Sequence, residues 1–143
     1  MNIGIVTTWF ERGAAYVSRQ FLEVLSSDHN VFIYARGGEE YGKGDPSWDF
    51  SYVTWGKRPK SFAPTDVDLE HFKIWLQENE IEVVLYNEQK IWAPVLLCRE
   101  LGVKTGSYID YYTERTVPQF GIFDFLVCNT KKHLSVFEWH PQC

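Results

Sequence analysis

Short, continuous apolar runs alternate along this chain with longer stretches in which apolar side chains return every three or four positions. Residues 3–9 form a β-rich, mostly apolar run, the pattern of a strand buried on both faces of a parallel sheet. The turn Glu11-Arg12-Gly13-Ala14-Ala15 then leads into Val17, Phe21, Val24 and Leu25, whose spacing predicts a helix to about Ser27. Residues 31–35 read as a second strand, which completes a βαβ unit. Residues 37–49 change to Gly, Glu, Lys, Asp and Pro and read as an exposed loop with too little apolar surface to pack.

The same alternation continues to the end. Residues 50–55 predict a short strand, and residues 57–64 a basic, proline-containing connection. Thr65-Asp66-Val67-Asp68 reads as the capping box of a helix that presents Leu69, Phe72 and Leu76 on one face. Residues 81–86 form a further strand; Pro94 suits the first turn of a helix that Gly102 stops, and residues 103–109 form the next strand. Residues 111–122 are aromatic and polar without either period. Residues 125–128 are a compact strand, and Asn129 and Thr130 are expected caps for a helix over residues 131–139. This order predicts an α/β protein: a Rossmann-like, doubly wound, mostly parallel sheet flanked by helices. With 143 residues the chain is long enough for one such domain, residues 1–143, and too short for two.

Charge and composition narrow the function. The 14 Lys and Arg against 19 Asp and Glu leave −5, and no basic run offers a phosphate backbone a continuous stripe, which argues against nucleic acid. Cys98, Cys128 and Cys143 lack CxxC spacing, and Cys98 and Cys128 sit in apolar segments, as free thiols do in a reducing cytoplasm. The apolar runs are too short to span a membrane. Peripheral contact at the inner face stays open, because Trp55, Lys57, Arg58, Lys60 and Phe62 make a small basic and aromatic patch, although an ordinary solvated loop explains them too. His29, His71, His133 and His140 have no ligand partner at i, i+4, so no metal is expected. A single glycine in the first turn is not a dinucleotide fingerprint, and no cofactor is expected. A Gly-x-Ser-x-Gly elbow is missing as well.

Open α/β sheets bind ligands beyond the carboxyl ends of their strands. That rule places Glu11, Arg12, Gly13, Ala14, Tyr16, Arg19, Glu88, Asp110, Tyr111, Glu114, Asn129 and Lys131 at or near one edge. Gly13 admits a ligand close to the backbone, and the helix after it offers N–H groups to an anion such as a donor phosphate. Arg12 and Arg19 carry planar donor forks suited to phosphate or carboxylate, with surface ion pairs as the plainer reading. Asp110, Glu88 and Glu114 are carboxylates able to accept hydroxyls, or to cap loop N–H groups. Tyr111 and Tyr16 combine an apolar face with a polar tip, which serves sugar stacking or packing equally.

Asn2-Ile3-Gly4-Ile5-Val6 with Gly13, Gly102-Val103 before a strand ending Tyr108-Ile109-Asp110, and Asp124-Phe125-Leu126-Val127-Cys128-Asn129-Thr130-Lys131 together resemble the N-terminal lobe of family-4 GT-B glycosyltransferases. The resemblance spans nearly the whole chain. It implies the acceptor-side lobe of an enzyme that moves a sugar from a nucleotide-sugar donor to a glycan or lipid-linked acceptor, in bacterial polysaccharide biosynthesis. The donor-binding C-terminal lobe is absent, so the domain alone is expected to be inactive, and the end at His140-Pro141-Gln142-Cys143 is expected to be where a connection begins. Asp110 stands where many relatives carry a histidine near the reacting sugar; its catalytic role is the expectation this substitution most affects. The alternative is a free-standing Rossmann-like module that binds a small molecule or a protein without chemistry.

Overall fold

The computed structural model describes residues 1–61 and 63–143; Phe62 of the basic, aromatic patch lies outside them. Six strands form one sheet: β1 Asn2–Thr7, β2 Asn30–Ala35, β3 Val53–Trp55, β4 Val83–Asn87, β5 Lys104–Ile109 and β6 Phe125–Cys128. Four helices join them: α1 Gly13–Leu25, α2 Leu69–Glu78, α3 Ala93–Glu100 and α4 Lys131–Phe137. The strands lie in the order β3-β2-β1-β4-β5-β6, and every pairing is parallel. This is the order of a Rossmann-type sheet, with a switch point between β1 and β4 where successive connections leave in opposite directions along the sheet.

Alternation along each strand divides the core. Ile5 and Ile33 pack with Ala15, Phe21 and Leu25 of α1. Their neighbours Val6 and Tyr34 pack with Phe72, Trp75 and Leu76 of α2, and Val95 and Cys98 of α3 join that face. A period of two in the strands thus meets a period of 3.6 in the helices, which is why both faces of the sheet are dry. Among the described residues, no helix is long and apolar enough to cross a membrane.

Three local expectations need correction. The first concerns residues 37–49, which do not form a merely exposed loop: Trp48 is only 4% exposed and Gly42 is buried. Trp48 meets Trp9 edge to face at 5.2 Å, and the Trp9 indole N–H donates to its carbonyl at 2.6 Å. One large apolar residue in a polar run is enough to fold the segment over the end of β1. The cap of α2 is also misplaced by the sequence pattern. Asp68 caps the helix by accepting from the His71 amide at 3.0 Å, while Thr65 turns left-handed at φ 68°. Leu69 therefore lies on the outer side of its first turn, 41% exposed, and Trp75 takes the inward position beside Phe72 and Leu76. Finally, residues 111–122 include a 3-10 helix, Val117–Ile122, which puts Phe120 into the core.

Candidate ligand-binding site

The carboxyl ends of the strands carry two polar groupings of different character. One is the open rim at the switch point. Arg12, the residue before α1, has no side-chain cap role and reaches Glu88 at the end of β4, with Nη2 to Oε2 at 3.3 Å. Glu88 itself is held in the left-handed region at φ 59°. Asp110 and Tyr111 line the same small cleft as Glu88, together with Gln89, Lys90 and Tyr108. The Lys90 ammonium lies 5.2 Å from the centre of the Tyr111 ring. A carboxylate pair, an ammonium and an exposed aromatic face so gathered can accept hydroxyls and stack an apolar ring face.

The other sequence candidates scatter around this rim. Glu11 and Gly13 are exposed. Gly13 has no positive φ, and a Cβ there would meet nothing within 4 Å, so the fold itself places no demand for glycine on it. The Ala14 carbonyl accepts from the Asn87 amide at 2.8 Å, which ties the first turn of α1 to β4. Tyr16 and Arg19 both lie against Trp48: the Tyr16 ring at 5.4 Å edge to face, the Arg19 guanidinium at 4.7 Å over the indole. Asn129 donates to the Tyr108 hydroxyl at 2.9 Å, and Lys131 lines a groove with Asn129, Leu134 and the two thiols Cys128 and Cys143. Those thiols stand 3.0 Å apart, a proximity that their spacing in sequence does not announce. Glu114 sits exposed in the turn before the 3-10 helix and is not brought to the cleft.

The second grouping is buried, and sequence reasoning missed it. Arg36 follows β2 directly and is 3% exposed. Its Nη1 donates to the Asn87 carbonyl at 2.8 Å and to Gln89 Oε1 at 3.3 Å, while its Nε has no hydrogen-bond partner among the described residues. Burial pushes the guanidinium down to about 10, with the fields of Glu39 and Glu88 acting the other way. Gln89 in turn donates to the carbonyls of Thr65 and Ile91, and the Lys90 amide donates to the Thr65 hydroxyl. These bonds hold a β-branched residue in a left-handed conformation that it rarely adopts. Beyond Asn87, a chain of side chains runs through Ser18 to Thr7, at 3.0 and 2.8 Å. A usable signal was present: a charged residue placed directly at the end of an apolar strand and followed by two glycines, Arg36-Gly37-Gly38.

The fold and this edge define the class: an α/β protein with an all-parallel, Rossmann-like sheet whose polar side chains converge beyond the strand ends. No protein-family model matches the chain, and no curated protein matches it.

Proposed function

We propose that this chain is the acceptor-binding domain of a two-lobed sugar transferase that moves a sugar from a nucleotide sugar to a glycan or lipid-linked acceptor. The observation that carries this reading is the shared cleft of Glu88, Asp110 and Tyr111 beside the β1/β4 switch point. Carboxylates there accept acceptor hydroxyls, and Asp110 is the candidate to draw a proton from the reacting one. Gly13, with open space before it, leaves the start of α1 clear for a donor phosphate held mainly by a second lobe. Half a cleft cannot hold donor and acceptor together, so the chain alone binds without turnover.

The test is a titration of the isotope-labelled chain with a panel of mono- and disaccharides, followed by amide NMR, with a parallel assay against nucleotide sugars. Saccharides are expected to shift the amides of Glu88, Asp110 and Tyr111 with dissociation constants of about 1 mM, some 4 kcal/mol of binding, and Asp110→Asn is expected to weaken them. Turnover of a nucleotide sugar by this chain alone, or saccharide shifts confined to other faces, overturns the proposal.

A further inference from the structure

β6 ends the strand order, so its outer edge offers unpaired N–H and C=O groups to whatever lies beside it. Residues 140–143 lie there. The Leu126 amide of β6 donates to the Gln142 carbonyl at 2.9 Å. His140, 5% exposed, anchors the segment: its Nε2 stands 2.8 Å from the Phe123 carbonyl, and its Nδ1 accepts from the Gln142 amide at 3.1 Å. A carbonyl only accepts, so the ring carries a proton on Nε2 and donates it to Phe123.

This anchoring sets two thiols side by side. Cys128, half-buried at the end of β6, and Cys143, exposed, are both free and hold their sulfurs 3.0 Å apart. A disulfide holds its sulfurs at about 2.0 Å, so closure needs a further approach of only about 1 Å. Both side chains line one groove with Asn129, Thr130, Lys131 and Leu134, which gives a small reagent a way in. Burial, and then the sulfur of Cys143, hold the Cys128 thiol above its ordinary value, which leaves the exposed Cys143 as the first to attack. Cys98 differs in both respects: it is fully buried, and its sulfur meets the Tyr86 hydroxyl at 3.3 Å.

We propose that Cys128 and Cys143 are a site of reversible oxidation, closing into a disulfide that fastens residues 140–143 to β6. The oxidant is a small disulfide such as glutathione disulfide. The Cys143 thiolate attacks one of its sulfurs, which forms a mixed disulfide and expels one glutathione thiolate. The Cys128 thiolate then attacks the Cys143 sulfur, which forms the protein disulfide and expels the second glutathione. Two protein thiols are oxidised, one glutathione disulfide is reduced, and the two cysteine protons end on the two glutathiones. This site is separate from the switch-point cleft and does not depend on the transferase reading.

The test incubates the chain with glutathione disulfide, quenches it in acid, alkylates it under denaturing conditions without reduction and maps its peptides by mass spectrometry. The native chain is expected to yield Cys128 and Cys143 in linked peptides, Cys98 alkylated, and no lasting glutathione adduct; dithiothreitol restores both thiols. Cys128→Ser is expected to keep glutathione on Cys143 at least about tenfold above native, because the second attacking thiol is gone. A second measurement needs no variant. The bond spans 15 positions, and closing a loop of that size is expected to lower the urea unfolding constant of the oxidised chain about 100-fold against the reduced one. Hydrogen exchange at the Leu126 amide is expected to slow with it. Thiols that stay reduced, glutathione that persists on Cys143 of the native chain, or a disulfide formed only between two chains overturns the proposal. So does an internal disulfide that leaves the unfolding constant unchanged or raises it, since sulfurs forced together do not make a fastening.

Discussion

Arg12 and Arg36 stand beyond the carboxyl ends of adjacent strands, β1 and β2, and meet opposite conditions. The Arg12 side chain is 45% exposed and has a carboxylate partner in Glu88, itself 18% exposed. Arg36 is 3% exposed and hydrogen-bonds through Nη1 to neutral oxygens, and its buried Nε has no hydrogen-bond partner among the described residues. A solvated arginine with an ion pair costs little to keep and little to redirect toward a ligand. A buried one with no ion pair among the described residues is kept only where the surrounding bonds hold it, here Asn87, Gln89 and the strained Thr65 behind them. The rim is thus adaptable and the buried Arg36 grouping fixed in place.

The largest effect that sharpens this contrast comes from the segment that follows β2 and folds over the end of β1. Trp48→Ala removes the ring that packs on Trp9, Tyr16 and Arg19 and is expected to cost about 3–5 kcal/mol, the range for a buried large aromatic. Tyr111→Ala on the open rim is expected to cost under about 0.5 kcal/mol, as for most exposed positions. Urea unfolding followed by tryptophan fluorescence and circular dichroism measures both. Equal losses would mean that the rim is as firmly packed as the segment over β1.

The two regions also differed in how far the sequence exposed them. Strand and helix order was legible because burial on both faces makes the strands continuous apolar runs, and the strand-end rule then collected Glu88, Asp110 and Tyr111 correctly into one place. The segment after β2 was hidden by composition: a polar, glycine-rich run conceals the single Trp48 that folds it over the end of β1. Thr65 and Asp68 are both plausible caps by residue type; only the tertiary bonds from Gln89 and Lys90 decide that Thr65 turns left-handed and Asp68 caps. Nor does local pattern reveal a missing hydrogen-bond partner. Arg36 became a candidate only when its surroundings were known.

A second, intermediate effect is alkaline. The folded-state Arg36 guanidinium, lowered to about 10 by burial from an ordinary 12.5, binds fewer protons than its unfolded counterpart between those values. For a cation with a lowered folded pKa, stability is reduced below that pKa and recovers as pH rises through it. Cys98 works in the opposite direction: burial raises its thiol to about 12, so the unfolded chain deprotonates first and stability falls above pH 9. Native protein is therefore expected to lose stability between pH 9 and 11 less steeply than Arg36→Met, and Cys98→Ala to lose it less steeply than native. Chemical denaturation at intervals across that range gives the slopes. Parallel slopes for native and Arg36→Met would show that Arg36 is better solvated or better paired in solution than its position implies.

The smallest effect lies at the rim, in the Arg12 and Glu88 pair. Its separation of 3.3 Å is ordinary for an ion pair, but both side chains reach water, and fixing an arginine consumes rotamer freedom. A double-mutant cycle with Arg12→Ala and Glu88→Ala is expected to give a coupling of about 0.2–1 kcal/mol in low salt, in the measured range for exposed pairs. In about 1 M salt, where the screening length falls to about 3 Å, the coupling should all but vanish. A weak coupling is what an exchangeable partner requires, since a ligand that takes Arg12 from Glu88 then gives up little and frees a carboxylate to accept its hydroxyl. Coupling above about 2 kcal/mol that survives salt would make the pair a structural clasp, and the distinction between an adaptable rim and a fixed, buried Arg36 grouping would fail at its exposed end.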